Sequence, residues 1–310
     1  MPASPFIAGV DIGATNVRVV IANEDGEIEA RRSTPFAAAD PPERVLRGIA
    51  RTIDELARGV WVGASVSATG IALPGTVDPA RGLVATPANM PGWGDVPIAD
   101  VLGAARNITI AIENDANAAA VGEGWLGAAR GLTDFVFVAL GTGIGTGLWM
   151  GGRLYHGAHF LAGEAAFFPM TREQLHVADW HHNLEGIVGG RAMDATAREI
   201  FGPGASAAAL FDAAASGEKR AATAVKRVQE YLAMALVDII AILDPQAVVV
   251  GGGVAMAQRE RFLAPVRDLV HACTPTRTKV VLSELGNDAQ ILGAVKLAIE
   301  ARRARVGTEP

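Results

Sequence analysis

The chain alternates short apolar runs with tight turns rich in glycine, and this pattern gives its first outline. Residues 7–12 form an apolar run of strand length, the chain turns at Gly13-Ala14-Thr15-Asn16, and a second apolar run follows over 17–22. Glu24-Asp25-Gly26 marks another tight turn into 27–33, so three strands joined by short turns read as consecutive hairpins. Pro41-Pro42-Glu43 then opens a helix to about residue 58, with Val45, Leu46, Ile49, Ile53 and Leu56 at helical spacing. Residues 64–73 form a further strand, ended by Pro74-Gly75, and 108–112 a short one. Asn114-Asp115-Ala116-Asn117 caps an alanine-rich helix reaching about residue 126.

The same order then starts again. Residues 135–140 are a strand, Gly141-Thr142-Gly143 a turn, and 145–150 a strand; Gly151-Gly152 makes the next hairpin and 153–155 its second strand. Further on, 221–243 reads as a long helix and 247–250 as a buried strand that ends in Gly251-Gly252-Gly253. Residues 280–282 form a short strand and 291–302 a closing helix. Two copies of one strand-rich unit, joined near 114–130, predict an α/β chain of two domains facing a cleft, where ligands bind.

Composition narrows the classes. Half the residues are hydrophobic and 19% charged, so a large buried core is expected rather than disorder. A net charge of -6 argues against nucleic acid or an anionic membrane as partner, since both attract clustered Lys and Arg. None of the four lysines (Lys219, Lys226, Lys279, Lys296) stands in a Gly-x-x-x-x-Gly-Lys-Ser/Thr frame, which excludes a P-loop nucleotidase. A single Cys273, no basic-then-apolar leader and no apolar run of bilayer length point to a cytoplasmic protein.

Two turns at equivalent points of the repeat share one chemistry. Asp11-x-Gly13-x-Thr15 follows the first strand, and Gly141-Thr142-Gly143-x-Gly145-Thr146-Gly147 follows its counterpart. Glycine lets main-chain N–H groups close on a phosphate, and threonine adds a hydroxyl donor. Asp11 supplies the oxygen that Mg²⁺ prefers. The triple glycine 251–253, between a strand and an expected helix, lets an adenine or α-phosphate lie on backbone.

The motifs Gly9-Val-Asp-Ile-Gly-Ala-Thr-Asn16, Ala72-Leu-Pro-Gly75, Thr86-Pro-Ala-Asn89, Glu113-Asn-Asp-Ala-Asn117, Leu140-Gly-Thr-Gly-Ile-Gly145, Ala162-Gly-Glu164 and Asp244-Pro245 with Gly251-Gly-Gly253 resemble the ROK family of sugar kinases and repressors over nearly the whole chain. The resemblance implies an actin-like ATPase fold (ribonuclease H-like), with a small domain over 1–115 completed by the helix 291–305 and a large one over 116–290 carrying sugar-binding and dimerisation segments. It further implies Mg·ATP as donor, a hexose or hexose derivative as acceptor through O6, and a homodimer. Asp115 takes the role of general base. Gly75, Asn89, Asn114, Glu164 and Glu185 match the sugar-binding set, and Asp11, Gly13, Thr15, Asn16, Gly141, Thr142, Gly143, Gly252 and Gly253 the nucleotide set. Polyphosphate in place of ATP and a non-catalytic sugar binder are the alternative readings; a repressor is disfavoured because the phosphate-loop strand begins at about residue 7.

One family pattern is broken. Aligned on Glu164 and Glu185, the zinc-binding His and three Cys of the family fall on Phe167, His176, Ala178 and Asn183, which leaves one ligand of the four a closed site needs. No zinc is therefore expected. The segment is expected to be held by packing of Phe167, Phe168 and Trp180, with His176, Asp179, His181 and His182 as a dense cluster of potential ligands.

Overall fold

The computed structural model describes residues 6–13, 15–37, 39–60, 65–86, 90–103, 108–177, 179–275 and 277–306. It resolves into two compact units: Met1–Arg130 with His156–Leu161 and Asp288–Pro310, and Gly131–Tyr155 with Ala162–Asn287.

The first unit runs β1 (Phe6–Ile12), β2 (Asn16–Ala22), β3 (Ile28–Pro35), α1 (Pro42–Val60), β4 (Val66–Leu73), β5 (Thr76–Asp78), β6 (Leu83–Thr86), α2 (Ile98–Gly103), β7 (Thr109–Asn114) and α3 (Asp115–Leu126). Five strands make one sheet in the order β3-β2-β1-β4-β7. The hairpin pairs are antiparallel, while β1 with β4 and β4 with β7 are parallel. Both faces of the sheet are covered, because side chains alternate across a strand. Ala8, Val10 and Ile12 face the apolar stripe of α1, formed by Leu46, Ile49, Ile53 and Ala57. Ile7, Val20, Ala22 and Ala68 pack on the opposite side against Ile291, Val295, Ala298 and Ile299.

The second unit runs β8 (Phe135–Leu140), β9 (Ile144–Met150), β10 (Arg153–Leu154), α4 (Glu185–Val188), α5 (Gly190–Phe201), α6 (Ala207–Ala215), α7 (Lys219–Leu243), β11 (Ala247–Gly251), α8 (Gly253–Gln258), α9 (Glu260–Cys273) and β12 (Lys279–Leu282). Its sheet, β10-β9-β8-β11-β12, repeats the order and polarity of the first. Val136, Val138, Val248 and Val250 form its floor beneath Leu232, Leu236, Ile239 and Ile240 of α7 and Phe262 and Val266 of α9. The last helix, α10 (Ala289–Val306), belongs to the first unit.

One strand runs further than its apolar pattern shows. The strand expected over 108–112 continues to Asn114, because β7 stays in register with β4 as far as the Leu73–Asn114 pair. Asn114 is thus the end of a strand and the N-cap of α3, with no loop between.

Among its described residues, the segment between Ala162 and Leu184 is built of short helical turns and irregular backbone. Of its expected aromatic anchors, Phe167 is 36% exposed, Phe168 is half-buried against the apolar core of the second unit, and the side chain of Trp180 lies outside the described residues. Hydrogen bonds also hold the segment. Asn183 Nδ2 donates to the Phe167 carbonyl at 2.8 Å, Leu184 N to the Phe168 carbonyl at 3.0 Å, and Gln174 joins Thr171 N and the His182 carbonyl at 2.9 and 2.6 Å. Irregular backbone has no ladder partners, so polar side chains satisfy it.

Candidate active site

The first unit carries the carboxylates. Asn114 Oδ1 accepts from Ala116 N at 2.9 Å and Asn117 N at 3.2 Å, which satisfies two of the free donors at the start of α3. Its Nδ2 donates to the Gly75 carbonyl at 3.1 Å, tying two expected site residues together across the ends of β4 and β7. Asp115 is the first residue of α3; its Oδ1 accepts from Ala116 N at 2.8 Å and part of its surface stays open. Burial, and then the nearby charge of Asp11, push the Asp115 carboxyl up to about 6. Removing water disfavours the charged form, and a second carboxylate disfavours it further.

Asp11 is the second carboxylate, 8% exposed on β1. Burial raises its pKa, and this outweighs the opposing effect of the Arg18 guanidinium on β2, which donates to Oδ2 at 2.7 Å. Arg18 was not among the expected site residues; the strand pair Asp11–Arg18 places it there, and register is what the sequence alone does not display. The turn between these strands closes through Gly13 N to the Asn16 carbonyl at 2.9 Å, and Asn16 Nδ2 donates to Thr15 Oγ1 at 3.0 Å. Thr15 and Asn16 are exposed, so hydroxyl and amide are presented outward.

In the second unit the β8–β9 turn is built around Glu185. Gly141 N bonds the Gly143 carbonyl at 3.0 Å, and Glu185 Oε2 accepts from Ile144 N at 3.1 Å. A Cβ at Gly143 would lie 2.0 Å from Glu185 Oε2, so glycine is what lets the carboxylate sit against the turn. Gly190 N and Arg191 N bond the Gly141 and Thr142 carbonyls at 2.9 and 3.0 Å, which anchors the start of α5 on the same turn. Gly252, at φ +86 as N-cap of α8, lies so close to Leu140 that a Cβ would come within 2.6 Å of its backbone. Gly252 therefore adjoins the end of β8, where the Gly141–Gly143 turn begins. Glu164 precedes the short turn Ala165–Phe167 and is half-buried. Glu185→Ala leaves the buried Ile144 N–H without its partner and is expected to cost about 1–3 kcal/mol, read by thermal unfolding.

Some expected residues are not brought into these groups. Asn89 lies outside the described residues. His181 faces Glu185 at 3.5 Å and His182 faces Asp179 at 3.2 Å, and no group of three or more acidic, His or Cys side chains converges among the described residues. A cavity of about 480 Å³ between α4, α5, α6 and α7 contains none of the expected site residues. Sequence reasoning passed over Glu113 and His156, which meet at 2.7 Å beside the Asn114–Asp115 step. Glu113 directly precedes that step, and a carboxylate within an apolar strand was the available signal.

Two sheets of this order and polarity, each with a glycine-bearing turn after its first strand, define the actin-like ATPase fold. A family model described as ROK family matches residues 7–301, and the chain belongs to that family. It is 33% identical to a glucokinase of Thermotoga maritima, over 97% of this chain and 99% of that protein. It is 32% identical to an N-acetylmannosamine kinase of Escherichia fergusonii, over 93% of this chain and 97% of that one. A solved ROK family glucokinase of Streptomyces griseus, in complex with glucose and AMPPNP, superposes with a TM-score of 0.78 at 26% identity, covering 95% and 99% of the two chains. No described helix is long and apolar enough to cross a membrane.

Proposed function

We propose that this ROK sugar kinase transfers the γ-phosphoryl group of ATP to the primary O6 hydroxyl of a hexose or N-acylhexosamine, with Asp115 as general base. The observation that carries the reading is Asp115 itself, a reachable carboxylate whose pKa is raised to about 6. A base of that pKa is mostly ionised at pH 7 yet basic enough to take a hydroxyl proton, which is the compromise general-base catalysis requires. Phosphoryl transfer has a loose transition state, so the carboxylate chiefly orients the attacking oxygen and receives its proton late. Asn114, fixed by Gly75 and by its own capping bonds, is pre-set to hold a neighbouring sugar hydroxyl. Asn89, Glu164 and Glu185 complete the proposed sugar set.

The donor side rests on the Gly13–Asn16 turn, the Gly141–Gly143 turn with its Thr142 hydroxyl, and Gly252–Gly253. The Streptomyces griseus relative was solved with AMPPNP, which supports ATP as donor. Asp11 suits a hard cation, being a buried carboxylate with raised pKa beside a second one; Mg²⁺ there would neutralise charge on the phosphates. The proposed assembly is a homodimer.

The test is a panel of glucose, N-acetylmannosamine and other hexoses with ATP, GTP and polyphosphate, reading donor consumption and locating the phosphate by NMR. Turnover of glucose or N-acetylmannosamine with ATP, giving a 6-phosphate, is the expected result. Phosphate on another oxygen, or turnover with polyphosphate alone, would refute the corresponding half. The pH profile gives a second check. Only the ionised Asp115 accepts a proton, so kcat/KM is expected to fall as pH drops through about 6, tenfold per unit below it.

A further inference from the structure

Glu113 is 2% exposed at the end of β7, and every oxygen of its carboxylate is engaged. Oε1 accepts from Asn114 N at 2.9 Å and from Asn117 Nδ2 at 3.0 Å. Oε2 meets His156 Nε2 at 2.7 Å. The carboxylate thus grips the backbone on one side of Asp115 and the side chain two residues beyond it. Asn114 holds the same stretch from outside through Ala116 N and Asn117 N. Asp115 accepts from Ala116 N, from its own backbone N–H and from the Asn114 side chain, all of them within this frame, and takes its direction from it.

His156 stands in the segment His156–Leu161, which packs with the first unit although its neighbours in sequence belong to the second. Phe160 packs edge-on against its ring at 6.2 Å and adopts φ 57, a conformation uncommon for a side chain of that size. A histidine held by an aromatic wall against a buried carboxylate is an orienting arrangement. A buried carboxylate that loses one of its partners is left poorly compensated and must protonate or move.

We infer that Glu113 and His156 form a positioning pair, in which His156 holds Glu113 and Glu113 holds the Asn114–Asp115 step in register for proton abstraction. Neither touches the sugar; they act through Asp115, and the inference rests on Asp115 being the base. The charged group facing His156 is Glu113, whose hydrogen bond raises the histidine's pKa.

The test uses the full chain with ATP and glucose or N-acetylmannosamine, whichever the wild type turns over. His156→Ala is expected to lower kcat about 10- to 100-fold, since small misplacement of a reacting group has effects of that order, with KM for the sugar within about threefold. His156→Gln, whose amide can still donate to Glu113, is expected to recover most of that kcat. If His156→Ala does not fold, His156→Asn replaces it, being polar but too short to reach Glu113, with the same expected result. A kcat within twofold of wild type, or a loss carried by KM instead, would overturn the inference. So would a Gln variant no better than Ala. Asp115→Asn separates the two proposals: an inactive Asp115→Asn beside a normal His156→Ala sinks only the positioning pair, whereas an active Asp115→Asn removes the base it is meant to position.

Discussion

Asp115→Asn is expected to lower kcat by about 10²- to 10⁴-fold, the usual contribution of a general base, while leaving KM for the sugar nearly unchanged. The amide keeps the shape and the bond from Ala116 N, so the frame around residues 113–117 stays intact. What disappears is the acceptor for the hydroxyl proton. The same variant is expected to unfold at higher temperature than wild type. A carboxyl whose pKa is about 6 in the folded protein, against an ordinary value of 3.8, binds its proton more tightly when folded. Its cost to stability is therefore present above the folded pKa and vanishes as pH falls below 3.8. Asparagine removes that cost, a gain of about 1–3 kcal/mol at pH 7. Lower activity with higher stability is the mark of a residue placed for chemistry rather than for folding. A variant that keeps its turnover, or that loses stability along with it, would contradict this assignment.

Gly293→Ala is expected to produce the largest loss of stability. A Cβ at Gly293 would lie 1.7 Å from the Ala118 carbonyl oxygen, and one at Gly70 would lie 1.8 Å from the Ala294 carbonyl oxygen. Gly122 meets the Ala289 carbonyl in the same way at 2.3 Å. Helix α10 therefore rests on β4 and on α3 backbone to backbone. Alanine is the better helix former by about 1 kcal/mol, so propensity favours the substitution. The contact is with backbone, which cannot rotate aside, and overpacking of this kind costs about 1–3 kcal/mol and sometimes more. Steric cost decides the sign, and a fall in Tm of roughly 5–10 °C is expected in thermal unfolding. An unchanged Tm would mean that α10 does not pack as described. Because α3 begins with Asp115, a parted α3–α10 contact is also expected to disturb the base.

The outline of the chain was written in its periodicity. Apolar runs with glycine turns located β1, β2, β8, β9 and β11, because a buried strand of α/β type is apolar along its whole length. Leu46, Ile49 and Ile53 marked the face of α1 for the same reason a helix of any protein shows it, through 3.6-residue spacing against a sheet. The repeat of one strand order showed the duplication, and the motifs named the family that the match over residues 7–301 then established. Such features are local: a residue's neighbours in sequence are the cause, so the sequence displays them. The Asn114–Asp115 step was legible for this reason, as a polar pair before an alanine-rich helix.

Other features depend on residues that meet only once the chain is folded. Arg18 reaches Asp11 through strand register, and His156 reaches Glu113 from a segment that interrupts the second unit. Gly70 and Gly293 are unremarkable in the sequence and become critical only where backbones touch. In the segment from 162 to 184 the bonds of Asn183 and Gln174 show polar side chains serving its irregular backbone, partners that the sequence does not display. The sequence by itself determined the repeat, the family and the identity of the candidate base. Only the tertiary structure decided the charge environment that raises Asp115 to about 6 and the frame that aims it, because desolvation and long-range pairing exist only in the packed chain.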